Sequence, residues 1–349
     1  MKHILCLDIG SGTQDALLYT KGERLENCPK LVLPSPARMV GQRIRSLTGQ
    51  GRPIYLFGRN MGGGFSRDLS AHLEAGLAVA AHPEAALALA DDLTGLKDKG
   101  ISLSHVCPRD HVAVHLSDFD PMFWRGMLAQ AGLDYPDLVL AAAQDHGFHP
   151  GRSNRLGRFQ LWESFLRQAD GRMSGLLFRE VPEQLTRLRV LQQQTGGGPV
   201  SDTGAIAVLG ALFVPEIEAR SREQGVLVVN LGNSHTIAFL VFRDRVWGVY
   251  EHHTGLLDRD TLWEQLARFR SGSLAGMEVF DDKGHGCMVR DLPARADGFG
   301  HTVVLGPQRD MLAGLPVEFP APGGDMMLAG CFGLLKGWHM QNGQEGPGD

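Results

Sequence analysis

The sequence predicts an α/β chain made of two related halves that face each other across a cleft. Three observations carry this. The segment LCLDIGSGTQDALLY at residues 5–19 returns as VLVVNLGNSHTIAFLV at 226–241, with Asp8 on Asn230, Gly10 on Gly232 and Thr13 on His235. A second element repeats as well. Asp202, Gly210 and Leu212 share their spacing with Asp325, Gly333 and Leu335, inside runs crowded with Ala and Gly. Between these landmarks, short apolar runs that read as strands alternate with segments of helical character.

Each copy of the first element reads as strand, tight glycine turn, strand. Glycine at the turn lets backbone N–H groups approach an anion, and the hydroxyls of Ser11, Thr13, Ser234 and Thr236 add donors. Two such hairpins facing each other would grip a polyphosphate from both sides; a pair of ordinary β-hairpins is the plain alternative. Next, RPIYLFG (52–58) reads as a strand, the loop RNMGGGF follows, and a helix starts near Ser66. No Lys-Ser/Thr follows this loop, so it is not a P-loop; it is a strand-to-helix turn or a site for a substrate phosphate. Residues 82–100 read as one helix, with Pro near its start and Gly at its end. VAVHLSDFD (112–120) and LVLAAA (138–143) read as strands, and the Arg- and Gln-rich stretch 151–200 as surface helices inserted before the next element. Asp202 and Asp325 are helix N-cap signals for helices at 202–214 and 325–337. After the second motif come RVWGVYEHHTG, a helix at 258–270, MEVFDDKGHGCMVR and a strand at 302–312.

The chain has 349 residues, long enough for about two domains. The expected division is 1–220, carrying the inserted helical segment, then 221–340, then a flexible tail at 341–349. With 34 Lys and Arg against 39 Asp and Glu, the net charge of −5 offers no general attraction to nucleic acid or to anionic membrane. The N-terminus reaches an acidic residue and a glycine turn too soon for a signal peptide, and no apolar run has the length of a membrane span, so a cytoplasmic protein is expected.

DIGSGTQD resembles the first phosphate motif of the actin, Hsp70 and sugar-kinase ATPase superfamily, and VVNLGNSHT resembles its second. The helices at 202–214 and 325–337 resemble that superfamily's connecting helices, and TVVLGPQRDML, a strand ending in Gly-Pro, resembles its adenosine motif. The order along the chain is the same. The resemblance implies two actin-like (ribonuclease H-like) ATPase domains with a nucleotide cleft between them. More narrowly, DIGSGTQD, ENCPKLVLPSP, NLGNSHT and APGGDMMLAGCFGLL together resemble a prokaryotic family often labelled pyruvate formate-lyase activating enzyme. A radical-SAM activase needs three closely spaced cysteines. Here Cys6, Cys28, Cys107, Cys287 and Cys331 have no metal-ligand spacing, which argues against radical chemistry by this chain. A cluster shared across a dimer would need two cysteines close in the fold, and Cys287 with Cys331 is the pair considered.

The resemblance implies ATP with Mg²⁺ as ligand. Asp8, at the end of the first strand, is the metal-facing carboxylate. Gly10, Ser11, Gly12 and Thr13 would cradle phosphate, opposed by Gly232, Asn233, Ser234 and His235, with Gly306 on the adenosine side. The superfamily usually has an acidic residue where Asn230 stands. Asn keeps the hydrogen bonding and removes a charge, which points to weaker metal binding and slow or absent turnover. Gln144, Asp145 and His146 follow a strand and are candidates for catalysis, or form a turn in which Asp145 caps the backbone. His252, His253, Asp281, Asp282 and His285 are either transition-metal ligands or solvated side chains. Three functions stay open: an ATPase or phosphotransferase acting on an unidentified small molecule, an ATP-driven activator of a partner enzyme, and a nucleotide-binding assembly protein.

Overall fold

The computed structural model describes residues 2–149, 151 and 153–343. Two sheets of the same core design, one of six strands and one of five, dominate it. In the first, β1 (His3–Ile9), β2 (Thr13–Thr20) and β3 (Lys30–Pro34) form an antiparallel meander. The chain then leaves this sheet for β4 (Ile54–Gly58), β5 (Val79–Ala81), β6 (Ile101–Leu103) and β7 (Val112–Leu116), which make a separate all-parallel sheet in the order β6-β5-β4-β7. It returns as β8 (Leu138–Ala143), parallel to β1, and ends the first sheet with the short β9 (Leu177–Phe178) and β10 (Val200–Ser201). The second sheet repeats the plan. Its strands β11 (Val226–Leu231), β12 (His235–Phe242) and β13 (Arg245–His253) are antiparallel, β14 (Gly286–Val289) extends one edge, and β15 (His301–Leu305) lies parallel to β11.

The sheet orders β3-β2-β1-β8-β10 and β13-β12-β11-β15 thus share the 3-2-1-4 core order of a ribonuclease H-like sheet, the order that the resemblance implies. The repeat extends to register. Asp8 pairs with Asp15 and Asn230 with Ile237, the positions that the superposed motifs make equivalent. The Gly10 N–H donates to the Thr13 carbonyl at 2.8 Å, and the Gly232 N–H to the His235 carbonyl at 3.0 Å, so both turns close in the same way.

Two helices join the sheets at the centre. Asp202 caps the first, Thr203–Ala211, by accepting the Gly204 N–H at 2.9 Å. Asp325 likewise caps a 3-10 turn, Met326–Leu328, which leads into the helix Ala329–Asn342. The helices touch backbone to backbone. A Cβ on Gly210 would lie 2.2 Å from the Ala329 carbonyl oxygen, and one on Gly333 2.1 Å from that of Ile206. Glycine at both positions is therefore a packing requirement, which explains the repeated Asp…Gly spacing. One apolar cluster gathers around this crossing and reaches β1, β8, β11, β12 and β15.

Several expectations need correction. Residues 82–100 are helical only at Pro83–Ala86, with a single 3-10 turn at Thr94–Leu96. Asp92 accepts both the N–H and the hydroxyl of Thr94, and this local turn competes with helix. The stretch 151–200 is not a surface insertion. It holds the helices Asn154–Gln168 and Thr186–Gln194 together with β9 and β10, and Arg158, Phe159, Trp162, Leu188 and Leu191 are buried. In the 302–312 segment, by contrast, the strand ends at Leu305, just before the Gly306-Pro307 read as its end, and a 3-10 turn follows at Arg309–Leu312. Gln341 and Asn342 finish the last helix, and the remainder of the expected tail, 344–349, lies outside the described residues. No helix among the described residues is long and apolar enough to cross a membrane.

Candidate functional site

The two hairpin turns meet. The Ser234 hydroxyl donates to Ser11 Oγ at 3.2 Å, and a Cβ on Gly12 would touch the Asn233 amide at 3.1 Å. Beneath them lies a cavity of about 680 Å³, within the range of ligand sites. Its lining includes every residue expected to cradle phosphate: Gly10, Ser11, Gly12 and Thr13 from one half, and Asn230, Gly232, Asn233, Ser234 and His235 from the other. Asp8, Gln144, Asp145, His146 and Gly306 line it too, as does the glycine loop Asn60–Gly64, which the sequence left between two roles. Gly306 sits where β15 ends beside β11, in a left-handed conformation (φ +96°). A Cβ there would fall 2.3 Å from the Leu231 carbonyl oxygen and 2.7 Å from Asn230 Oδ1.

The floor carries more charge than the sequence reading assigned. Asp8 was expected to be the sole carboxylate at the paired strand ends. Asp15 stands directly across the ladder from it, and opposed residues of an antiparallel pair share a face. Its signal was present in DIGSGTQD: the turn that pairs Gly10 with Thr13 also pairs Asp8 with Asp15. Burial, reinforced by Asp15, pushes the Asp8 carboxyl up to about 8. Burial likewise pushes Asp15 up to about 7, against a hydrogen bond from the Thr13 hydroxyl. Asp8 Oδ1 and Asp15 Oδ1 are both buried without a hydrogen-bond partner. A hard divalent cation such as Mg²⁺ takes oxygen ligands of this kind, so the residues fit one. The helix Ala329–Asn342 presses on this floor; a Cβ at Gly330 would meet Asp8 Oδ2 at 2.0 Å.

Beyond β8 the chain makes the turn that the sequence allowed as an alternative. Asp145 Oδ1 accepts the Gly147 N–H at 2.8 Å and Oδ2 accepts the Leu188 N–H at 2.9 Å, while burial raises its carboxyl above the usual range. Both oxygens are thus engaged by backbone. Arg187 holds the neighbouring Gln144 carbonyl at 2.6 Å while forking onto Asp118 at 2.7 and 2.8 Å.

One buried network was not visible in the sequence. Arg158, on the helix Asn154–Gln168, donates to Glu251 at 2.7 Å, to Asp202 at 2.9 and 3.2 Å and to the Asp145 carbonyl at 2.6 Å. Trp162 adds an indole N–H to Glu251 at 2.9 Å. Burial alone would raise the Glu251 carboxyl, but Arg158 holds it below its ordinary value. The guanidinium thereby ties the cap of the first central helix to β13 of the second sheet. Arg158, Asp202 and Glu251 lie far apart in sequence, and no local pattern announces them.

The histidines and aspartates expected as one metal group are divided. His252 is fully buried and faces Asp282 at 3.3 Å, and both Asp281 and Asp282 are exposed. His285 turns the other way. Its ring centre is 5.1 Å from that of His235, 5.8 Å from His146 and 4.7 Å from His253. The cysteine pair also separates. Cys331 lies in the central core, its thiol donating to the Asp15 carbonyl at 3.1 Å, whereas Cys287 belongs to the core of the second sheet. Both are buried, so neither reaches a surface where a second copy could share a cluster.

Residues 61–311 match the family described as "Putative pyruvate format-lyase activating enzyme (DUF1786)", and with well over half of its length matched, the chain belongs to that family. No curated protein matches the sequence. Among solved structures, an exopolyphosphatase-like protein is 11% identical with a TM-score of 0.28, over 87% of this chain and 66% of its own, so this chain spans just under two thirds of that protein. A Ppx/GppA phosphatase from Aquifex aeolicus is 9% identical with a TM-score of 0.29, over 88% and 68% of the two chains. The ethanolamine utilization protein EutJ from Carboxydothermus hydrogenoformans is 9% identical with a TM-score of 0.32, over 96% and 89%. Likeness at this level says nothing of activity.

Proposed function

We propose that this member of the family binds a nucleoside triphosphate, with ATP as the first choice, together with Mg²⁺ in the cleft between its two hairpins, and turns it over slowly by hydrolysis or by transfer to a small molecule. In this reading residues 1–220 and 221–340 are the two lobes. The observation that carries it is the pair of hairpins, closed by the same hydrogen bond and meeting at Ser11 and Ser234 above two unpartnered carboxylate oxygens. Hydroxyls that now bond each other, and turn N–H groups beside them, are donors a phosphate oxygen can accept from. Asp8 and Asp15 would hold the cation, which when bound offsets the charge of the phosphates. Asp145 is engaged by backbone, and burial pushes the His146 ring down to about 2, too weak a base to take a proton from water, so Gln144 is the residue assigned to orienting an attacking water.

Mg-ATP or Mg-ADP should stabilise the native protein by about 2.7 kcal/mol at a hundredfold excess over Kd. That appears as a rise of a few degrees in a thermal melt. The absence of any shift with purine nucleotides at millimolar concentration, with and without Mg²⁺, would refute the reading.

A further inference from the structure

On the cleft wall beside the second hairpin, three imidazoles converge from distant parts of the chain. His146 follows β8, His235 begins β12, and His285 precedes β14. One ring nitrogen of each lies within 4.8 Å of the other two, the group of metal-ligating character found among the described residues. Both nitrogens of His235 and both of His285 are buried without a hydrogen-bond partner. A buried polar atom left unsatisfied costs about 1–3 kcal/mol, so four of them at one point call for a ligand. The groups facing this point are Glu251 on β13, with its carboxylate committed to Arg158 and Trp162, and His253, whose ring centre is 4.8 Å from that of His235.

We infer that His146, His235 and His285 form a three-histidine site for a divalent first-row transition ion of the Zn²⁺, Fe²⁺ or Co²⁺ class, separate from the oxygen site at Asp8 and Asp15. Three imidazoles suit such ions and not Mg²⁺ or Ca²⁺, which take oxygen. At bonds of about 2.0–2.1 Å, tetrahedral ligand atoms stand roughly 3.3 Å apart, a gap that small ring rotations close from the present spacing. Burial keeps all three rings in the neutral form that ligates, with His146 pushed down to about 2, His235 to about 4 and His285 to about 3. His146 and His235 line the cleft and His285 stands behind them, so the open coordination position faces the cavity. Three protein ligands and one open position is the arrangement of a site that holds water or substrate on the metal. Because His235 belongs to the second phosphate hairpin, a carbonyl or carboxylate substrate held there would lie next to the bound phosphates.

The test uses the whole chain, stripped with a chelator and titrated with Co²⁺ in the absence of nucleotide, so that its result is independent of the nucleotide reading. One equivalent should bind with visible d–d absorption and be displaced by Zn²⁺. His235→Ala and His285→Ala should each weaken binding at least about tenfold, whereas Asp282→Asn, beside the divided half of the original group, should bind as wild type. X-ray absorption on the Zn²⁺-loaded wild type, which depends on no variant folding, should count three imidazoles. Failure to take up one equivalent, an oxygen-only ligand shell, or wild-type binding by folded His235→Ala and His285→Ala would overturn the site.

Discussion

In the presence of a chelator, the melting temperature of the wild type should fall relative to that of Asp8→Asn as the pH rises from 6.5 to 8.5, and Mg²⁺ should remove this relative fall. The cause is the pair of carboxyls on the cleft floor. Both take up protons more readily in the folded chain than in the unfolded one, where Asp ionises near 3.8. A raised folded value contributes stability that is complete below the unfolded value and is lost as pH climbs through the folded one. Unfolded histidines shed their protons near pH 6.5, which favours rings buried neutral, such as His146, His235 and His285, as the pH rises. This gain is shared by wild type and Asp8→Asn, so the difference between the two isolates Asp8 (about 8). At 1.36 kcal/mol per unit, the window from 6.5 to 8.5 removes about 2 kcal/mol through Asp8. With an unfolding entropy of about 2.1 cal/mol/K per residue, that is about 3 °C for a chain of this length. Differential scanning fluorimetry across the window, with EDTA or with millimolar Mg²⁺, measures it. Asp8→Asn should show neither this loss nor the Mg²⁺ rescue. A gap between wild type and Asp8→Asn that stays constant from pH 6.5 to 8.5, or that Mg²⁺ leaves unchanged, would refute the assignment of these two groups to a cation-ready floor.

Two further outcomes follow from other parts of the site. Glu251→Ala leaves Arg158 buried with one of its two carboxylate partners gone, and should destabilise by about 3–5 kcal/mol in urea unfolding; Glu251→Gln, which keeps an acceptor for the guanidinium and for Trp162, should cost clearly less. Asn230→Asp restores an acid at the end of β11 and should strengthen the Mg²⁺ dependence of nucleotide affinity in titration calorimetry while weakening affinity in EDTA, where the added charge meets the phosphates bare; equal effects in both buffers would remove Asn230 from the phosphate wall.

What the sequence could show was decided by how local each device is. The hairpins were legible because a tight turn fixes its own composition and register within a few residues, so LDIGSGT and NLGNSHT carry the same instruction. The caps at Asp202 and Asp325 are equally local, and the glycines of the crossing helices repeat because two backbones meet there. The all-parallel sheet β4–β7 was harder to see. Two of its strands are three residues long, shorter than any periodicity can resolve, and the Ala- and Leu-rich run between β5 and β6 has the composition of a long helix but is α-helical only at Pro83–Ala86.

Arg158 marks where reading from sequence stops. Its helix has the polar composition of a surface segment, and the charge is tolerated inside only because Asp202 and Glu251 arrive from elsewhere to neutralise it. The same guanidinium contacts the Asp145 carbonyl, and His146, next in the chain, lines the cleft with His235. A movement of one sheet against the other must therefore stretch or keep this ion triad as a unit. An isolated buried ion pair adds little net stability over an apolar filling, but a charge with two fixed partners admits few alternative arrangements. Placed between the cap of a central helix and β13 of the second sheet, the triad sets the relation of the two hairpins. The grip on a ligand between Ser11 and Ser234 thus depends on a residue that touches neither.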